Sequence, residues 1–160
     1  MKPATVSHIA LVVLVAGILL SAAILVSRTH VHFGYIDEDK REAQSAIDQM
    51  HSRLAAGEYE GIFDDLDTTL QETASREALI DGIRKTNERW GAVKRVTHRS
   101  INVLADRAPV EVRVVYNTSF EKGDATEFLI LVRRGEKLRI ALYRVYQGTT
   151  VPKEFSVTAP

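Results

Sequence analysis

Residues 110–146 read VEVRVVYNTSFEKGDATEFLILVRRGEKLRIALYRVY, and apolar side chains recur at every second position from Val110 to Tyr116. Val112 and Val114 alternate with Glu111 and Arg113. Successive side chains of a strand point to opposite faces of its sheet, so a period of two predicts a strand that is covered on one side.

Short polar turns divide this region and the residues before it into four predicted strands. The strands are 93–104, 110–117, 125–133 and 138–146, and the turns between them contain Asp106 to Pro109, Gly123 with Asp124, and Gly135 with Glu136. Neighbouring strands joined by short turns predict an antiparallel meander.

The residues before Gly91 follow a helical period instead. Ala43, Ile47, Met50 and Leu54 are spaced by four, three and four, which predicts a helix with one buried stripe. Two further segments complete this half: a short acidic helix or pair of turns marked by Ile62, Phe63, Leu66 and Leu70, and a helix from an N-cap at Ser75 to Trp90. Helices followed by one meander predict an α+β domain, with helices packed on one face of a curved four-stranded antiparallel sheet.

Both faces of the last two strands are apolar, so the sequence predicts a cover on the second face as well. A second copy of the domain, a partner protein or the tail from Val151 to Val157 are the candidates. The predicted docking patch, for a protein partner or a homodimer, consists of Leu129, Leu131, Arg133, Arg139, Ala141 and Tyr143.

The run from Ile9 to Val26 carries no charge and nothing more polar than Ser21. Its 18 residues would form a helix of roughly 27 Å, close to the thickness of a bilayer core. A cleaved secretory signal is the alternative, but the apolar run is longer than the roughly 7 to 15 residues typical of signals, which favours a retained anchor.

The sequence thus divides into an anchor (1–28), a juxtamembrane linker (29–38), a folded domain (39–147) and a tail (148–160). The short N-terminal tail with Lys2 favours a single-pass signal anchor that places everything after Val26 on the extracytoplasmic side. The chain contains no cysteine, which excludes disulfides and a lipidated cysteine anchor.

The charge of the chain is balanced, with 21 basic and 21 acidic residues, which argues against nucleic acid as a partner. The two halves differ, however. Residues 37–81 contain 13 acids and 4 bases, whereas residues 84–144 contain 14 bases and 7 acids. We expect the two halves to lie side by side and to neutralise each other; a basic face for an acidic partner or anionic lipid is the alternative.

The order of elements, with Gly57, Glu58 and Tyr59 after the first helix, resembles the nuclear-transport-factor-2-like (cystatin-like) superfamily, in particular its small exported bacterial members. The resemblance covers residues 39–147 and implies a cone-shaped half-barrel with a cavity between helices and sheet, often dimeric through the sheet. It also implies the bacterial inner membrane as the location of the anchor. It implies no single function, because this superfamily contains enzymes, binding proteins and assembly subunits.

No catalytic motif or cofactor signature is recognisable, and we predict neither a catalytic residue, a cofactor nor a metal site. His30 and His32 lack a third ligand. Side chains that would line a pocket, if the domain has one, are Tyr59, Trp90, His98 and Tyr116.

Two functions therefore stay open from the sequence. The first is a membrane-anchored exported binding or scaffolding domain, an accessory or assembly subunit of an envelope membrane complex, without enzyme activity. The second is a cavity protein that binds a small apolar ligand or acts on it as an isomerase or dehydratase.

The retained anchor predicts that the intact chain sediments with membranes and resists extraction by carbonate at high pH. A chain that begins at residue 29 should appear in the soluble fraction. Mass spectrometry of the mature chain is the direct measurement, and a mature N-terminus near residue 24 would contradict the anchor.

Overall fold

The computed structural model describes residues 36–106 and 108–148, without the side chains of residues 98 and 99. Its strands form one antiparallel sheet in chain order, so the predicted meander is confirmed. The strands are β1 (Val93–Leu104), β2 (Glu111–Phe120), β3 (Gly123–Arg134) and β4 (Lys137–Gln147).

The register of the sheet determines which side chains share a face. In β3, Leu129 lies opposite Val114 of β2, and Leu131 lies opposite Val112. Three irregularities interrupt the ladder: two in β1, between Val93 and Arg95 and between His98 and Ser100, and one where β3 pairs with β4. Such bulges increase the local twist of a sheet.

The described helical segments precede the sheet, as expected. They are α1 (36–56), α2 (Tyr59–Asp64), α3 (Thr68–Gln71) and α4 (Arg76–Trp90). Ser75 caps α4 through its side-chain oxygen, which accepts a hydrogen bond from the backbone N–H of Ala78. Gly91 ends α4 with φ of 75°, and an added Cβ there would lie 2.7 Å from the carboxylate of Glu121.

The acidic segment after α1 contains two short helices, because the residues between them pair with the sheet. The backbone N–H of Asp67 donates to the carbonyl of Ile140 over 2.8 Å, and the N–H of Ile140 donates to the carbonyl of Asp65 over 3.1 Å. These bonds cover part of the outer edge of β4, which would otherwise present unpaired backbone groups.

The predicted stripe of α1 is confirmed as the helical side of the core. Ala43 and Ile47 are fully buried, and Met50 and Leu54 are nearly so. They pack against one face of the sheet, which contributes Val112, Val114, Tyr116, Leu129, Leu131, Leu138 and Ile140 to the same cluster. The expected α+β architecture is therefore confirmed.

The expected membership of the docking patch is wrong for two residues. Leu129 and Leu131 are completely buried in the cluster that contains the α1 stripe, so they face the helices. The opposite face of β3 carries Phe128 and Val132 instead, and these side chains are also buried. Because both alternating sets are apolar, their period alone does not tell which set faces the helices.

The acidic and basic halves pair with each other, as expected. Arg133 of β3 reaches α1, where its guanidinium contacts the carboxylates of Asp39 and Glu42. Arg134 donates to the buried carboxylate of Asp67 over 2.7 Å. These contacts join the ends of the sheet to the helices. The sequence offered these basic side chains, as an alternative, for binding an acidic partner, and the fold uses them for its own ion pairs.

The predicted anchor from Ile9 to Val26, the two juxtamembrane histidines and the tail from Val151 to Val157 lie outside the described residues. Within the described ranges, no helix combines the length and apolarity that crossing a bilayer requires.

The buried position of Leu131 generates a stability prediction. We expect Leu131→Ala to lower the free energy of unfolding by about 2–5 kcal/mol, since the substitution leaves a cavity between α1 and the sheet. Val96→Ala is the matched control, because Val96 is 37% exposed and its truncation should cost little. Urea denaturation of both variants is the measurement, and equal small losses would contradict the placement of Leu131 in the core.

Candidate functional site

A carboxylate is buried at the centre of the helix-facing side of the sheet. The side chain of Glu127 in β3 is completely buried and accepts three hydrogen bonds. His51 Nε2 donates to Oε1 over 3.0 Å, and the hydroxyl of Tyr143 donates to the same oxygen over 2.8 Å. The hydroxyl of Thr118 donates to Oε2. Each donor satisfies an acceptor that burial removes from water, as a buried charge requires.

The sheet register and one helix turn bring these donors together. Glu127 lies opposite Tyr116 on β2 and Val145 on β4, and Thr118 and Tyr143 are each two residues away from those positions on the same face. His51 follows Ile47 by four residues in α1, so it lies one turn along the buried stripe. The network therefore joins three strands and one helix, and it brings His51 to Glu127 across 76 positions of sequence.

The network shifts the pKa values of two of its members. Burial pushes the pKa of Glu127 upward, but the hydrogen bonds and charge of His51, with the bonds from Thr118 and Tyr143, outweigh it and hold the pKa below its ordinary value. Burial, together with the charge of Glu127, raises the pKa of Tyr143 well above its ordinary range. At neutral pH, Glu127 is ionised and Tyr143 is a neutral phenol.

A cavity of about 210 Å³ lies next to this network, with Tyr143 in its wall. It is open to solvent on one side and is bordered by all four helical segments, by Leu66 and by β4. Its lining consists of Met50, Ile62, Leu66, Leu70, Ala78, Leu79, Gly82, Ile83, Thr86, Ile140, Leu142 and Tyr143.

Small side chains on one face of α4 make room for this cavity. Ala78, Gly82 and Thr86 are spaced by four residues, so they lie one above another on the helix. An added Cβ at Gly82 would meet no atom within 4 Å. The larger Leu79 and Ile83 pack against the core beside them. The sequence of α4 thus leaves an apolar space that a larger residue at position 82 would fill.

The polar groups in the cavity wall are two hydroxyls that already donate their protons. Tyr143 donates to Glu127, and Thr86 donates to the carbonyl of Gly82 over 2.9 Å. Each hydroxyl oxygen can therefore accept a hydrogen bond but has no second proton to donate. None of the described residues in the lining has a carboxylate, imidazole or amine, so the cavity is suited to binding rather than to proton transfer.

Two of the pocket residues expected from the sequence, Tyr59 and Tyr116, do not line this cavity. Tyr59 accepts a hydrogen bond from Asn87 over 3.1 Å and lies outside the cavity lining. Tyr116 is buried beside the network, where its hydroxyl donates to Gln44, and burial, together with the charge of Asp48, raises the pKa of Tyr116 to about 12.

Trp90 packs on Phe120 in a second, smaller core cluster and lines a groove beside the cavity. The backbone of His98 pairs with that of Tyr116, and its side chain lies outside the described part of the structure.

The remaining docking candidates have structural roles or new positions. Arg133 binds α1, and Arg139 donates to the carbonyl of Asp64 over 2.8 Å. Ala141 lies at the irregularity of β4, between Ile140 and Leu142, without a partner in the register with β3. Tyr143 belongs to the cavity and to the network of Glu127.

Sequence reasoning missed both Glu127 and His51. The signal for Glu127 was a single acid in the segment TEFLILV, where every neighbour is apolar or a threonine. A charge in a strand that is apolar on both faces has to point inward on one of them. Among the described residues, no group of three or more potential metal ligands is present.

No family model and no curated protein matches the chain. The solved structures that it is similar to include one from Campylobacter jejuni, described as a candidate nuclear-transport-factor-2-like transpeptidase. The two chains share 15% identity with a TM-score of 0.41, and the match covers 66% of this chain and 96% of the other. At this identity the likeness concerns the fold alone.

The depressed pKa of Glu127 predicts a pH-dependent contribution to stability. The ionised network stabilises the fold at neutral pH, and this stabilisation is lost as the pH falls below 4.5, the ordinary value of a glutamate, toward the lower value in the folded chain. We expect Glu127→Gln to lower the free energy of unfolding at neutral pH by about 1–3 kcal/mol, with a smaller difference in acid.

Denaturant titrations of wild type and variant between neutral pH and pH 3 measure this difference. Glu60→Gln is the matched control, because Glu60 is exposed and should show no such dependence. A difference between wild type and Glu127→Gln that stays constant over the whole range would show that the charge of Glu127 does not matter.

Proposed function

We propose that this domain binds a small, largely apolar molecule in the cavity between its helices and β4. The observation that carries the proposal is the cavity of about 210 Å³, whose apolar wall is interrupted by the hydroxyls of Tyr143 and Thr86. Apolar pockets with few, well-placed polar groups are the general form of small-molecule sites.

The size of the cavity limits the ligand. An apolar cavity of about 150 Å³ accommodates benzene, and pockets for drug-sized ligands begin at about 300 Å³. A volume of about 210 Å³ therefore suits one ring with a short substituent, or a short alkyl chain. Because Tyr143 and Thr86 accept but do not donate, a hydroxyl or N–H group on the ligand would be recognised better than a carbonyl.

The buried network supports binding by holding Tyr143 in place. The phenol is fixed by its hydrogen bond to Glu127, which His51 and Thr118 hold in turn. A side chain whose position is set before the ligand arrives loses little entropy on binding. An isomerase or dehydratase would need a base in contact with the ligand, and Glu127 is separated from the cavity by Tyr143, so binding is the better supported function.

Anchoring of the domain at the extracytoplasmic face of a bacterial membrane is part of the proposal, and it rests on residues 9–26 of the sequence alone. A tether would raise the concentration of the domain near ligands that partition into the membrane. A scaffolding role in an envelope complex has less support, because Leu129 and Leu131 of its expected docking patch are core residues.

Gly82 provides a test that separates binding from folding. Gly82→Leu should fill the cavity and remove one helix-interior glycine, so we expect it to abolish binding of small aromatic alcohols such as benzyl alcohol while raising the melting temperature. Leucine is a better helix former than glycine, and its side chain would bury apolar surface against the cavity wall, so both effects favour the folded variant. Ligand titrations by NMR and thermal unfolding are the measurements.

Gly82→Ala is the matched control. Its added methyl group has free space, so binding should persist, with a gain in stability of about 0.5–1 kcal/mol from the helix. If Gly82→Leu folds and still binds the same molecules with unchanged affinity, the cavity is not their site.

A further inference from the structure

A second depression of about 380 Å³ lies between α4 and β4, directly beside the cavity. The two share the residues Thr86 and Tyr143, so they adjoin at these side chains. The groove is bordered by Lys85, Arg89, Trp90, Tyr143, Arg144 and Tyr146. Cavity and groove together form one elongated site with an apolar inner part and a polar outer part.

The groove is positively charged. Its described lining includes Lys85, Arg89 and Arg144 but no acid. Lys85 pairs with the exposed Asp81 over 2.7 Å, whereas Arg89 lies over the ring of Trp90, 5.3 Å from its centre. Within the residues that the structure describes, neither Arg89 nor Arg144 forms an ion pair with a carboxylate. Arg133, Arg134 and Arg139, by contrast, all contact acids.

The inner end of the site disfavours an anion. Tyr143 directs its proton to the ionised Glu127, so it presents a lone pair and lies next to a buried negative charge. A carboxylate placed there would find no donor and would be repelled. In the groove, the same carboxylate would lie beside Arg89 and Arg144, which line it and have no acidic partner among the described residues. Arginine is a better bidentate donor to carboxylates than lysine.

We propose that the site takes a small amphipathic anion, with the apolar body in the cavity and a carboxylate between Arg89 and Arg144 in the groove. This inference rests on the proposed function and adds the charge and the orientation of the ligand. Trp90 borders the groove and is the only tryptophan of the chain, so its fluorescence reports directly on the occupied groove.

The test compares 4-phenylbutyrate with its neutral analogue 4-phenyl-1-butanol, titrated into the purified full-length chain while Trp90 fluorescence is followed. We expect the carboxylate to bind more tightly than the alcohol by about fivefold or more, because each exposed ion pair contributes up to about that factor and two arginines line the groove. The advantage should shrink at high salt. Arg89→Gln and Arg144→Gln should each weaken the carboxylate about fivefold and leave the alcohol unchanged.

Arg95→Gln is the control, since Arg95 is exposed on β1 and does not line the groove. If the alcohol binds as tightly as the carboxylate, or if the groove variants act no differently from Arg95→Gln, the anionic ligand is wrong while the apolar cavity site stands. If neither molecule binds, and benzyl alcohol also fails to bind, both proposals are overturned. If both molecules bind and Gly82→Leu does not change their affinity, they bind outside the cavity, and both proposals are overturned.

Discussion

The arrangement of the domain depends on one buried charge. Glu127 is ionised in the middle of an apolar sheet, and an uncompensated carboxylate there would cost several kcal/mol. The fold satisfies it with donors from both neighbouring strands and from α1. Any slip in the strand register or rotation of α1 would remove one of these donors, so the carboxylate penalises alternative packings that the apolar side chains alone would tolerate.

The same constraint links the core to the candidate site. Tyr143 is a core donor to Glu127 and also the wall of the cavity, so the position of the ligand-facing phenol is set by a bond inside the protein. The ion pairs at the ends of the strands, from Arg133 to Asp39 and Glu42 and from Arg134 to Asp67, act further out and fix the helical layer against the sheet. In the helical layer that is fixed in this way, Ala78, Gly82 and Thr86 of α4 line the cavity.

This space indicates a balance between stability and function. Ala78 and Gly82 line the cavity with small side chains, and a glycine within a helix costs stability. Local departures from the most stable sequence are expected where a protein binds something. The adjacent groove, whose arginines have no acidic partner in the described structure, is a second departure of the same kind.

The amino-acid sequence by itself determined the class and order of the elements. The spacing from Ala43 to Leu54, the capping residue Ser75, the glycines at 57 and 91 and the alternation in β2 act through local backbone geometry, which neighbouring residues are enough to specify. Only the tertiary structure decided which face of β3 meets α1, because both of its faces are apolar and the register with β2 selects between them. It likewise brought His51 to Glu127, 76 positions apart, and left the cavity beside Tyr143. These features depend on contacts between distant segments, and a pattern of near neighbours carries no record of them.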